Sequence, residues 1–142
     1  MSGGPLSAEL LAAVRMHLER AYPHEGCGVI LEGPGGARSQ PLANACAGDP
    51  RQGFAFEPRE WLRVCRDADA AGERVVAVFH SHVDAPALLS AVDRAAAAPG
   101  GVPLLPGVLH LVEAVRDGRA DEARAYRFKG LKFEEEWRVR LA

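Results

Sequence analysis

The run Val-Val-Ala-Val-Phe at 75–79 limits the fold more than any other stretch, because it is apolar at every position and mostly β-branched. A strand with one solvated face alternates apolar and polar residues. An unbroken run therefore predicts a strand covered on both faces. The run ends abruptly in His80-Ser81-His82. Side chains two apart on an extended backbone point to the same face, so His80 and His82 project together. After seven intervening residues come Ser90 and then Asp93, opening an Ala-rich segment that runs to Ala98. If that segment is helical, Ser90 and Asp93 share a face. Two imidazoles and one carboxylate supply three ligands to a tetrahedral zinc and leave the fourth position to water, as catalytic rather than structural sites do. Plainer readings exist for the same residues. His-x-His at a strand end also serves as ordinary surface polarity, and Ser90-Ala91-Val92-Asp93 fits a helix capping box. The capping box does not compete with metal binding, since it also places both side chains in a first turn able to face the strand end.

A third element lies far upstream. Tyr22-Pro23-His24-Glu25-Gly26-Cys27-Gly28 leads into the apolar run Val29-Ile30-Leu31 and puts a carboxylate, Glu25, at the mouth of a strand. An upstream Glu, His-x-His, seven residues, Ser, two residues and Asp together resemble the JAMM signature of the JAB/MPN metalloproteases. The segment around Glu25 and the strand–turn–strand pattern at 109–128 resemble short prokaryotic members of that family. The resemblance implies an α/β sandwich with a mixed central sheet. It also implies one zinc ion held by His80, His82 and Asp93, Glu25 as general base, and Ser90 stabilising the oxyanion. The implied activity is peptide or isopeptide hydrolysis after the C-terminal glycine of a ubiquitin-like or sulfur-carrier protein. The chain departs from the pattern at Val83 and Leu89, where the family usually has proline. Neither position supplies a ligand, so the departure bears on loop shape and substrate fit. A non-catalytic MPN-type scaffold is the alternative reading, but such members typically lack ligands and none is missing here. A zinc nucleobase deaminase would need His-x-Glu and Pro-Cys-x-x-Cys, and both are absent.

The 142 residues predict one domain, long enough to bury about 70% of the surface its unfolded chain would expose. With 48% hydrophobic and 25% charged residues and no run of membrane-spanning length, the composition is that of a soluble globular protein. The N-terminal residues show no basic region followed by an apolar one, so a cytoplasmic protein without a signal peptide is expected. Cys27, Cys46 and Cys65 are odd in number and widely spaced, which argues against a disulfide framework or a zinc ribbon. A net charge of −2 with interspersed signs offers no nucleic-acid footprint.

In chain order, residues 1–5 read as a disordered tip. Ser7 caps a helix whose Leu10, Leu11, Val14 and Leu18 form one face as far as Ala21. Strands are expected at 26–31 and 37–42 around the turn Gly33-Pro34-Gly35-Gly36, and a short one at 54–56. Pro58 opens a helix with Trp61, Leu62, Cys65 and Ala68 on its buried side, ending before Gly72. The Pro/Gly-rich loop after Ala98 borders the site. Strands 108–116 and 120–128 meet at Asp117-Gly118, a hairpin signal. His110 reads as a ring packed beside the core. A short strand at 131–133 precedes a terminal helix or frayed tail at 134–142.

Overall fold

The computed structural model describes residues 6–141. The expected disordered tip at 1–5 lies outside them. Six strands form one mixed sheet in the order β2-β1-β3-β4-β5-β6. They are β1 (Cys27–Gly33), β2 (Gly36–Leu42), β3 (Arg74–Val83), β4 (Leu109–Arg116), β5 (Arg119–Lys129) and β6 (Lys132–Arg140). Three helices flank the sheet, α1 (Ala8–Ala21), α2 (Pro58–Ala71) and α3 (Ala91–Ala97). Every neighbouring pair is antiparallel except β3 and β4, which run parallel and are joined through α3. The expected α/β sandwich with a mixed sheet is the observed fold.

The apolar run sits at the centre of this arrangement. Ala77 and Phe79 turn to the α1 face, where they meet Leu10, Val14 and Leu18. Val78 turns to the other face and packs with Val29, Leu31 and the α2 residues Val64 and Ala68. Farther along that second face, Leu89 and Ala98 cover Val112, Ala114 and Tyr126. Local signals set the helix ends. Ser7 accepts from the Leu10 amide, Pro58 starts α2, and Gly72 closes it at φ 71°, a left-handed value suited to glycine. Gly28 is required for a different reason: a Cβ there would collide with the Phe79 ring and the Gln40 carbonyl, so its absence lets β1 lie between β2 and β3.

Three local expectations are corrected. Residues 54–56 are extended but are not a strand, because their only ladder-like backbone bond is the one Ala55 accepts from the Ala45 amide. The Phe-Ala-Phe alternation reflects two rings turned inward rather than sheet pairing. On α2 the buried stripe runs through Trp61, Val64 and Ala68, while Leu62 is 50% exposed and Cys65 is only partly covered. Leu62 lies about 100° around the helix from Trp61, which carries it off the sheet. The segment 134–140 is neither helix nor tail but most of β6, paired along β5. Trp137, Val139 and Leu141 recur with period two and pack against the α1-face core, while Arg138 and Arg140 between them take the solvent side. Side-chain alternation, not the charge run, selects the strand.

One buried charge site stands apart. Glu113, on β4, is fully enclosed on the α1 face, and neither carboxylate oxygen has a hydrogen-bond partner. Burial pushes its pKa up to about 8, with the Arg15 guanidinium opposing and Glu19 reinforcing. The folded protein therefore holds a proton that the unfolded chain releases above its ordinary value of 4.5. Stability is present below that value and is lost as pH rises towards 8. Chemical denaturation of wild type against Glu113→Gln should show the wild type losing roughly 1 kcal/mol per pH unit relative to the variant across that window, then levelling off.

Candidate metal centre

The alternation of β3 turns His80 and His82 to the face covered by α2 and α3, with Ser81 on the opposite side. Their Nε2 atoms lie 3.3 Å apart. Asp93 Oδ2 is 3.2 Å from the first and 2.9 Å from the second. Among the described residues these three form the one group of His, Cys, Asp or Glu whose ligand atoms could hold a metal ion. The spacing suits a shared ion: ligands about 2.0–2.1 Å from a tetrahedral metal stand about 3.3–3.4 Å from one another. His82 Nδ1 lies 2.9 Å from the Pro86 carbonyl. A carbonyl only accepts, so Nδ1 carries a proton, and Nε2 is the ring atom left to face the cluster.

Asp93 reaches this point because α3 begins there. Ser90 Oγ accepts from the Asp93 amide at 3.0 Å, and the Ser90 amide donates to Asp93 Oδ2 at 3.1 Å, completing the capping box. One carboxylate oxygen thus serves both the helix cap and the histidine pair. Burial favours the neutral acid, but the bonds from His80 and His82 outweigh it and hold Asp93 well below the usual carboxylate range. Burial lowers the His80 pKa. It also pulls on His82, where Asp93 and the Pro86 carbonyl outweigh it and leave the pKa raised.

Glu25 arrives from the neighbouring strand. Cys27 pairs with His80, so continuing the antiparallel register by two residues brings Glu25 opposite His82 on the same face. It is 5% exposed, and Oε1 has no hydrogen-bond partner. Burial raises its pKa to about 7; His82 opposes this and Asp93 adds to it. Glu25 is therefore brought to the cluster without joining the three ligand atoms.

Two contributors were not evident from the sequence. Ser81, completely buried, accepts from the Gly26 amide at 2.8 Å through Oγ, and its own amide donates to the Gly26 carbonyl at 3.0 Å. It fastens the residue next to Glu25 onto β3, a role signalled only by a polar residue alternating into the apolar face. Phe54 stacks on His80, with ring centroids 4.4 Å apart and planes at 25°. The residues in place of the usual prolines are absorbed by packing: Leu89 is 4% exposed in the core, and Val83 pairs with Val115. The Tyr126 hydroxyl donates to the Ala87 carbonyl at 2.8 Å and anchors the loop between them. His110 does not join the three grouped ligand atoms; it stands edge-on to Phe133 at 5.2 Å, and burial, reinforced by His80 and opposed by Asp93, lowers its pKa to about 4. Cys27 faces the Leu42 and Ala43 carbonyls, and burial pushes its thiol up to about 12, which makes it a poor nucleophile.

Residues 7–129 match the family model for prokaryotic homologs of the JAB domain. Among curated proteins, the CysO-cysteine peptidase of Mycobacterium tuberculosis is 31% identical over 126 residues, covering 86% of this chain and 80% of that protein. The desampylase of Haloferax volcanii is 35% identical over 88 residues, or 58% of this chain and 62% of that protein. A solution structure from Desulfitobacterium hafniense shares the fold at TM-score 0.71 and 24% identity, covering 92% of this chain and 87% of the other. One from Salinibacter ruber gives TM-score 0.63 at 28% identity, covering 92% and 86%. No helix among the described residues is long and apolar enough to cross a membrane.

Equilibrium dialysis against a transition-metal dication should load one ion per chain. Asp93→Ala should weaken binding by more than about 100-fold, exceeding the 10–100-fold typical of losing an outer partner of a ligand. Equal affinity in the two proteins would exclude the cluster as the binding site.

Proposed function

Because the chain belongs to the family of prokaryotic homologs of the JAB domain, we propose that it is a zinc-dependent peptidase or isopeptidase. Its substrate is a small ubiquitin-like or sulfur-carrier protein, cut after the C-terminal glycine. The observation that carries this reading is the convergence of His80, His82 and Asp93 beside a buried carboxyl group, Glu25, whose pKa is near neutrality. The names of the curated relatives, a peptidase and a desampylase, support it. His80, His82 and Asp93 would hold the metal, and their donor set of two imidazoles and one carboxylate is that of catalytic zinc. Zinc bound there supplies an activated water at neutral pH and polarises the scissile carbonyl.

The protein's own groups perform the rest. Glu25, held next to His82 by the register of β1 on β3, takes the proton from the attacking water. A carboxyl group with a pKa of about 7 can accept that proton and later give it to the leaving amine, because neither transfer is far uphill. Ser90, the N-cap of α3, is hydrogen-bonded to Asp93 and so stands beside the cluster. Its Oγ accepts from the Asp93 amide, so its hydroxyl hydrogen remains free to donate to the oxyanion that develops on the carbonyl. Phe54 stacks on the buried His80 ring and helps keep it from bulk water, which strengthens each of these interactions.

Glu25→Gln should keep one zinc per chain and lower kcat by about 10²–10⁴-fold, the usual scale of general acid–base catalysis. Zinc analysis and turnover on the same preparation check it; loss of metal in step with activity would make Glu25 a ligand instead.

Substrate choice follows from access. The centre lies at the carboxyl end of β3, where crossover loops of an α/β sheet leave a crevice. A thin extended tail reaches such a place more easily than a folded chain, and a residue without Cβ lets its carbonyl approach a confined metal closely. A tailed substrate should therefore be cut much faster than the same protein with valine as final glycine replacement, and faster than an unrelated unstructured peptide. Equal rates on all three, measured by mass spectrometry, would indicate a general peptidase.

A further inference from the structure

The segment 43–57 crosses from β2 to α2 with no helix or strand of its own. Irregular segments of this length are uncommon in compact domains and are usually either functional or linkers. Its backbone is gathered around one side chain. Asn44 Nδ2 donates to the Gly53 carbonyl at 2.9 Å and to the Glu25 carbonyl at 3.0 Å, with the Pro50 carbonyl more distant at 3.4 Å. Asn44 Oδ1 accepts from the Cys46 amide at 2.9 Å, an Asx-turn, and from the Ala55 amide at 3.3 Å. The Glu25 amide donates to the Pro50 carbonyl at 2.7 Å, and the Ala45 amide to the Ala55 carbonyl at 2.8 Å.

These bonds join the two ends of the segment to each other and to the backbone of Glu25. The carbonyl of Gly53 and the amide of Ala55 flank Phe54, so Asn44 grips the peptide groups on both sides of the residue that stacks on His80. Phe54 is in turn backed by Phe56 at 5.8 Å, and Phe56 by Trp61 of α2 at 5.3 Å. Ser81 secures Gly26 from the β3 side, and Asn44 secures Glu25 from the loop side. We infer that Asn44 is a positioning residue, which sets the place of Glu25 relative to the histidine pair and presses Phe54 onto the His80 ring through its two donors and its acceptor.

Neither aspartate nor alanine can do both jobs. Aspartate would keep the Asx-turn to Cys46 and Ala55 but would turn an oxygen towards the Glu25 and Gly53 carbonyls, where donors are needed. Alanine would lose every bond. Neither change touches the three proposed metal ligands. A misplacement of about 1 Å far from the reacting atoms can cost about 10²-fold in rate, so the expected signature is a turnover defect without a metal defect.

The test uses the full chain with Asn44→Asp, and Asn44→Ser as the second variant should the first fail to fold, since serine keeps a turn-forming acceptor but is too short to reach both carbonyls. The first readout is independent of any activity: the His80 ring-proton resonances of metal-free protein. A ring stacked over His80 shields these protons, and release of Phe54 should move them downfield. Zinc stoichiometry should stay at one per chain. The kinetic readout rests on the peptidase reading above, and there kcat should fall about tenfold to a hundredfold with KM within about twofold. Unshifted His80 resonances, or a lowered melting temperature with kcat unchanged, would reduce Asn44 to a loop staple and overturn the inference. If wild type cuts no tailed substrate, the proposed activity fails, while the resonance comparison still decides the role of Asn44.

Discussion

Strand β3 hydrogen-bonds on both sides, antiparallel to β1 and parallel to β4, and the rest of the site depends on that double pairing. A strand held from both sides has a fixed register, and a slip by one residue would turn every side chain to the opposite face. Here a slip would send both imidazoles into the α1 core and bring Ser81 to the face that carries Asp93. Complete burial of Phe79 and Ala77 against α1 makes such a slip costly, because fully burying one large apolar side chain contributes about 1.5–3 kcal/mol. The position of His80 and His82 is thus set by apolar packing beneath them rather than by contacts at the cluster.

The parallel step from β3 to β4 brings Asp93 to the same place. Parallel neighbours require a crossover, and this one carries α3 over the carboxyl end of β3. The capping box orients the first turn, so the chemistry that starts a helix also aims a carboxylate oxygen at the two histidines. Glu25 depends on the antiparallel side instead, through the β1 register and the Ser81 clamp. Four side chains from three separate elements meet because one strand has two different kinds of neighbour.

The sheet contains two buried carboxyl groups with raised pKa values, on opposite faces and in different settings. Glu25 stands beside His82 and Asp93, and its Oε1 is buried without a hydrogen-bond partner. Glu113 stands among apolar residues under α1, where an unsatisfied buried polar atom costs about 1–3 kcal/mol. A raised pKa alone therefore does not identify a functional group in this molecule. Proximity to the ligand atoms distinguishes the first carboxyl group from the second.

Where a local rule decides the outcome, the sequence alone was informative. The apolar run and the His-Ser-His alternation determined a doubly covered strand with two imidazoles on one face, and Ser90 with Asp93 determined a helix start. The caps of α1 and α2 and the Asp117-Gly118 hairpin were equally legible, since each depends on neighbours within a few residues. Tertiary structure decided what distance along the chain conceals. The alternation at 134–141 selects a strand only because β5 offers an open edge and Trp137 finds a core to enter. Phe54 and Phe56 alternate as strand residues do, yet no strand lies alongside them, and their rings cover His80 and Trp61 instead. The parts of Ser81, Phe54 and Asn44 stay hidden in the sequence because their partners are tens of residues away or belong to the backbone, and backbone partners leave no residue type to read.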